Sequence, residues 1–298
     1  PIVLHGHQAS VSRAVFSPDN RRLATTSDDC TLRVWDLSHK TSRAYYGHTD
    51  EVWRAAWSPD MRQIATTSRD HTVRVWDLDT GVAQVLVGHQ SGIRNVTFGP
   101  GRSLYSGDDA QVLRRWNLDT GTSEIIDDCL GSSFPWDERQ IACLSDARNE
   151  LIVHDLRSGA RTVLRVDGVK LGPNGSLSPD GRWAVAGTVD IGDADAILWD
   201  RESGTPRRLD LTQPVDLAGR RSRELRFSPS SDRLLVPLAD QYLATYDLRS
   251  DTTELRRPHT GYTRRATFSP DGGLIASVGG DVGVHLWDES SASGRSLT

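Results

Sequence analysis

A Trp-Asp pair, or a close variant, returns about every forty residues along the whole 298-residue chain, which constrains the fold more than any other feature. The pairs are Trp35-Asp36, Trp76-Asp77, Trp116-Asn117, His154-Asp155, Trp199-Asp200, Tyr246-Asp247 and Trp287-Asp288, spaced by 41, 40, 38, 45, 47 and 41 residues. A second mark runs in phase with them, at Phe16-Ser-Pro-Asp19, Trp57-Ser-Pro-Asp60, Phe98-Gly-Pro-Gly101, Phe134-Pro-Trp-Asp137, Leu177-Ser-Pro-Asp180, Phe227-Ser-Pro-Ser230 and Phe268-Ser-Pro-Asp271. A period of this length means one supersecondary unit, repeated so that each copy buries its apolar face on its neighbours.

The second unit shows what is repeated. Val52 to Trp57 is apolar, and Ser58-Pro59-Asp60 turns the chain. Gln63 to Thr67 follows as a second strand, with a tight turn at Arg69-Asp70-His71. From Thr72 to Trp76, Val73 and Val75 alternate with Arg74, the period of a strand. After the turn Asp77 to Gly81, Val82 to Val87 is a fourth strand leading into Gly88-His89. Four short strands per unit, with no sustained helical period, describe a propeller blade.

The whole chain resembles the tryptophan–aspartate (WD) repeat family of β-propellers. The resemblance rests on motifs that stay in register: His7 to Phe16, His48 to Trp57, His89 to Phe98 and His259 to Phe268 all span nine residues. It implies an all-β, seven-bladed β-propeller with four antiparallel strands per blade. Residues 1–298 then form one domain, with blades at 7–46, 48–87, 89–126, 127–166, 167–211, 215–257 and 259–289 plus 1–5. The N-terminal strand closes the ring by completing the last blade, because Ile2 to Leu4 precedes Gly6-His7 as Ala83 to Val87 precedes Gly88-His89. The short polar tail 293–298 is the rival for that place. A chain that starts at Pro1 inside a repeat reads as a bacterial-type module cut from a longer protein.

The resemblance also implies a buried tetrad in each regular blade: His, Ser or Thr, Asp and Trp. These are His7, Thr25, Asp29 and Trp35; His48, Thr66, Asp70 and Trp76; and His259, Ser277, Asp281 and Trp287. The third blade offers His89, Asp109 and Trp116, with no assigned hydroxyl. A buried carboxylate needs a partner and an indole N–H needs an acceptor, which is why such groups travel together. Blades four to six depart from the pattern, with His154 or Tyr246 for Trp and Val236 at the hydroxyl position. They are expected to rest on apolar packing.

Such sets mimic a hydrolase triad, but matching copies in several blades, each with its Trp, favour structure over catalysis. No catalytic residue, metal ligand or cofactor is assigned: no His pair has ligand spacing, and no Gly-rich phosphate loop precedes a helix. The acidic turn Asp190, Asp193 and Asp195 lacks the Gly and Glu of a calcium loop. Cys30, Cys129 and Cys143 read as unpaired thiols of a reducing, cytoplasmic interior. With no apolar run of membrane-spanning length and a net charge of −5, neither a membrane nor a nucleic acid is indicated as partner.

Propellers of the resembled family present a face built by the loop before the first strand and the turn between the second and third. Its positions here are Ser10, Ser12 and Asp28; Glu51, Trp53 and Arg69; Gly92, Arg94 and Asp108; Tyr262, Arg264 and Gly280; and, placed from Phe227, Arg221 and Arg223. Trp53 and Tyr262 beside Arg69, Arg94, Arg223 and Arg264 have the composition of an interaction hot spot. The leading expectation is a protein- or peptide-binding module, a scaffold or sensor domain whose partner is another protein or another domain of the parent chain. The arginines suit an acidic partner, or else pair with Asp28, Glu51 and Asp108. The alternatives are an enzyme or ligand site at the central channel, and nucleic-acid binding through the arginine face.

Overall fold

The computed structural model describes residues 2–126, 139–145, 147–189, 196–209, 225–237, 242–256, 263–279 and 283–289. For Ile2, Pro173, Asn174 and Arg264 it describes the backbone alone. The fold is all-β, a seven-bladed propeller of antiparallel sheets. The chain divides into two compact units: His7–Asp146 with Ile152–Thr162, and Pro1–Gly6 with Ala147–Leu151 and Val163–Thr298.

Strand β1 (Ile2–Leu4) belongs to the last blade and is taken up with it. The first blade is β2 (Val11–Phe16), β3 (Arg22–Ser27), β4 (Leu32–Asp36) and β5 (Thr41–Tyr45). The second is β6 (Val52–Trp57), β7 (Gln63–Ser68), β8 (Thr72–Asp77) and β9 (Ala83–Val87), within one residue of the sequence reading at every end. The third is β10 (Ile93–Phe98), β11 (Ser103–Asp108), β12 (Leu113–Asn117) and β13 (Ser123–Ile126). Each sheet keeps chain order from inner to outer strand.

Of the fourth blade the described strands are β14 (Gln140–Leu144), β15 (Glu150–Asp155) and β16 (Arg161–Arg165). The fifth blade is β17 (Leu171–Leu177), β18 (Trp183–Thr188), β19 (Ala196–Asp200) and β20 (Pro206–Leu209). The sixth is β21 (Arg226–Phe227), β22 (Arg233–Pro237), β23 (Leu243–Asp247) and β24 (Thr252–Arg256). In the seventh, β25 (Thr263–Phe268), β26 (Leu274–Gly279) and β27 (Val284–Asp288) are completed by β1, with Ile2 opposite Leu286 and Leu4 opposite Val284. The N-terminal segment therefore supplies the outer strand, as its sequence position predicts. The rival tail lies outside the described residues.

Both repeating marks are turns with a specific chemistry. In Phe-Ser-Pro-Asp, the Ser17 hydroxyl donates to Asp19 at 2.5 Å and accepts the Arg22 amide at 2.9 Å, locking the first hairpin. Ser58 and Asp60, Ser178 and Asp180, and Ser269 and Asp271 repeat it. The Asp after Trp35, Trp76 and Trp199 accepts backbone N–H groups two and three residues on, as Asp77 does from Asp79 and Thr80. Asn117 fills the same role because its side-chain oxygen accepts equally well.

Apolar packing joins neighbouring blades within each unit. Ala24, Leu32 and Tyr45 of the first blade pack with Trp57, Ile64 and Trp76 of the second. Val73 and Leu86 of the second meet Ile93, Leu104 and Trp116 of the third. In the other unit, Val185, Leu198 and Leu209 meet Phe227, Leu234 and Tyr246. Cys30 is free but Cys143 is disulfide-bonded, its partner outside the described residues, so the expected set of three unpaired thiols does not hold.

Candidate functional site

The tetrads form in the first three blades. His7 Nδ1 lies 2.9 Å from the Asp29 carboxylate and Nε2 lies 2.7 Å from the Thr25 hydroxyl, while the Trp35 N–H donates to Thr25 at 2.7 Å. In the second blade the same three distances, among His48, Asp70, Thr66 and Trp76, are all 2.8 Å. An indole only donates and a carboxylate only accepts, so one direction satisfies every atom. Trp donates to the hydroxyl, the hydroxyl donates to Nε2, and Nδ1–H donates to the carboxylate. This fixes a neutral histidine.

The electrostatics agree. Burial lowers His48 and His89 below the ordinary histidine value, outweighing the carboxylate beside each that raises it. Burial by itself would raise Asp29 and Asp70. Hydrogen bonds from the histidine, from Thr31 or Thr72 and from the Gln8 or Thr49 amide outweigh it and hold both carboxyls well below the usual range. Thr25 and Thr66 are fully buried and committed on both sides, so neither hydroxyl is available as a nucleophile.

The third blade corrects one assignment. Its acid is Asp108, 2.8 Å from His89 Nδ1, and its hydroxyl is Ser106, 2.7 Å from both His89 Nε2 and Trp116 Nε1. Asp109, expected in the tetrad, is on the face, and Asp108, expected on the face, is buried. The first hairpin explains the shift. Phe98 pairs with Leu104 where Phe16 pairs with Leu23, so five residues lie between partners instead of six. The usual place of the acid, four residues after the hydroxyl, falls on Ala110 in the turn, and Asp108, two residues after Ser106 on the same side of β11, reaches the histidine in its stead. The backbone confirms the frame: the amides of Asp28, Arg69 and Asp109 donate to the carbonyls of Ser10, Glu51 and Gly92 at 2.9–3.0 Å.

Of the last tetrad, Ser277 accepts the Trp287 N–H at 3.1 Å, with His285 stacked on that indole at 6.3 Å. His259 and Asp281 lie outside the described residues. In the fifth blade, Trp199 is fully buried and donates to the Arg165 carbonyl at 3.1 Å. In the sixth, Tyr246 donates to Asp251 and Val236 is buried. Both blades rest on apolar packing, as expected.

On the face of the first unit, the structure brings together Glu51, Trp53, Arg69 and Arg94, while Asp28 bonds within its own blade. Trp53 is 6% exposed. Its N–H donates to Glu51 at 2.8 Å, and the Arg94 guanidinium lies 3.5 Å above its ring. Arg94 is held by two bonds to Asp109, at 2.7 and 3.1 Å. Gly92 makes this possible, since a Cβ there would stand 2.6 Å from the indole. Arg69 lies 3.6 Å from Glu51 and 3.8 Å from Asp50, and Asp28 accepts the Ser12 hydroxyl at 2.6 Å. Trp53 is thus a covered platform under Arg94, not the exposed anchor its sequence position suggests.

Asp50 and Asp109 are the members that sequence reasoning missed or misplaced, whereas Gly92 is where it was expected. The fixed ten-residue step from hydroxyl to Trp would have found Ser106, and from it the frame of Asp109. Tyr262 and Arg223 lie outside the described residues, as does the turn at Asp190 to Asp195. Arg264 is placed in β25 by its backbone alone. Among the described residues, no three His, Cys, Asp or Glu are grouped to hold a metal. No helix among them is long and apolar enough to cross a membrane.

Comparison with known proteins points the same way. The family model for "WD domain, G-beta repeat" matches residues 2–36 and 39–77. The chain is similar to the Arabidopsis thaliana protein "Cell division cycle 20.1, cofactor of APC complex", 27% identical over 59% of this chain and 37% of that protein. It is also similar to "WD repeat and SOCS box-containing protein 1" of Danio rerio, 32% identical over 30% of this chain and 21% of that protein. The Mus musculus protein of that name is 31% identical over the same shares. The matched region spans well under half the length of these relatives. The family-model match covers the first two blades.

Proposed function

We propose that this chain is a protein- or peptide-binding module, acting as the scaffold or sensor part of a larger protein and carrying out no catalysis. The observation that carries the reading is the covered platform of the second and third blades. Trp53, Arg94, Asp109, Glu51 and Arg69 form a preorganised network at the loop end, with the arginine and acid side chains 32–59% exposed. Arginines already held in place lose little freedom on docking, which is where interface side chains usually cost affinity. The printed names of the relatives, an APC cofactor and SOCS-box proteins, support a regulatory setting of this kind. Because Arg69 and Arg94 each have a carboxylate beside them, the partner is one that fits mixed charge, not a purely acidic segment.

The test is crosslinked capture followed by mass spectrometry, comparing the parent with Arg69→Glu and Arg94→Glu. Arg102→Glu is the control, since Arg102 pairs with Asp119 in the exposed hairpin at the other end of the third blade. Loss of the captured partner by about tenfold in the first two, with retention in the third, is expected. Equal capture by all four proteins would show that this face binds nothing.

A further inference from the structure

One outer strand is left open to edge pairing while the others are guarded. A charge stands in β5 (Arg43), β13 (Glu124), β16 (Arg161), β20 (Arg207) and β24 (Glu254), and β1 is only three residues long. Strand β9 reads Ala-Gln-Val-Leu-Val, with no charge, no proline and no bulge against β8. It is the last strand of its sheet. Val82 accepts the Asp77 amide, and antiparallel ladders bond at every second residue, so Gln84 and Leu86 turn their N–H and C=O groups toward β8. Those of Ala83, Val85 and Val87 point outward.

The side chains of Ala83, Val85 and Val87 share one face of the sheet, where Val85 is 43% and Val87 74% exposed. The other face is already covered: Leu86 is buried against the third blade, and Gln84 donates to its Leu118 carbonyl at 3.1 Å. An occupant of this edge must therefore bring a free strand edge of similar length, with small aliphatic side chains and no charge on the shared face. Strand β9 of a second copy, turned end for end, meets each condition. With Val85 on a two-fold axis, Val85 faces Val85 and Val87 faces the smaller Ala83, and each of these pairs exchanges both of its outward backbone bonds. Arg74, opposite Val85 on β8, does not oppose the pairing. Three strand spacings, about 14 Å, would separate it from its copy, more than the Debye length of about 10 Å at 0.1 M salt.

We propose that two copies of this chain associate by antiparallel pairing of β9 with β9, joining two four-stranded second blades into one sheet across a two-fold axis. The contact is small, so the dimer is weak and depends on concentration. This surface is on the outer strand, apart from the loop-end network, and does not rest on the partner-binding reading above.

The test is sedimentation velocity of the full chain from about 1 μM to about 500 μM. The parent is expected to pass from monomer toward dimer over that range, with little change as salt rises. Val85→Lys sets two lysines face to face at the axis and should weaken association at least about tenfold, while the circular dichroism stays that of the parent. Val85→Glu alone should do the same. An equimolar mixture of the two variants should dimerise again, because unlike charges then meet across the axis, a rescue that neither a damaged fold nor a contact elsewhere can give. A parent that stays monomeric throughout, a dimer that Val85→Lys leaves unchanged, or a mixture that stays monomeric overturns the proposal. So does a monomeric parent that captures a different protein through Val85, which would make that protein the occupant. Arg69→Glu should still dimerise and Val85→Lys should still capture the loop-end partner, so failure of one proposal is read apart from failure of the other.

Discussion

The first three blades and the fifth and sixth solve the same packing problem with different chemistry. In the former, a buried tryptophan ends a chain of four hydrogen-bonded side chains. In the latter, buried Trp199 donates to a backbone carbonyl, and buried Ala186 and Val236 take the place of the hydroxyl. Both arrangements leave the aromatic N–H or O–H satisfied, which is what burial requires. The difference is in what a single substitution can break. A network of buried donors and acceptors fails when one member goes, whereas an apolar cluster loses only the contacts deleted.

Asp70→Ala breaks the comparison most sharply. It strips the acceptor from His48, Thr72 and the Thr49 amide at once, and should cost about 1–3 kcal/mol in urea unfolding. The turn aspartate Asp200 serves only exposed neighbours, and Asp200→Ala should lower the urea midpoint much less. Equal losses would mean that the tetrad contributes nothing beyond an ordinary turn.

Acid should act on the tetrad blades in the same direction through both partners, with a smaller effect. His48 and His89 have folded values below 6.5, so as pH falls the unfolded chain takes up their protons first and stability declines below that value. Asp29 and Asp70 are held below 3.8 in the folded state. The stability they contribute is present above the unfolded value and is lost as pH falls through the folded one. The urea midpoint should therefore fall in two stages on acidification, the first below about pH 6.5 and the second below about pH 4. A midpoint that is flat down to pH 5 would contradict the neutral buried histidine.

Periodicity made the fold legible. Strand ends in the second blade and the completion of the seventh by Ile2–Leu4 follow from spacing, and the tetrads of the first two blades from the family resemblance that the spacing carries. The third blade was misread because the sequence marks two adjacent aspartates and does not show which one lies in the strand. The four-residue step from Ser106 falls on Ala110, which has no acceptor, so Asp108 at the end of β11 takes the role and Asp109 is left for the face. Trp53 was misread for a different reason. The face position that the resemblance gives it suggests an anchor, but Arg94 comes from the next blade, forty-one residues on, and no local pattern places it over the ring. The paired state of Arg69 and Arg94 was one of two readings open to the sequence, and only distances choose it.

The account's central claim is that the His–Asp–hydroxyl–Trp sets are structural networks, with the third blade built on Asp108 and its neighbour Asp109 left for the face. The most direct test is the urea unfolding of Asp108→Ala beside Asp109→Ala. Asp108→Ala should lose about 1–3 kcal/mol by leaving buried His89 without its acceptor, and Asp109→Ala, half-exposed and paired only with Arg94, no more than about 1 kcal/mol. The reverse order, or two losses within error of each other, would contradict it.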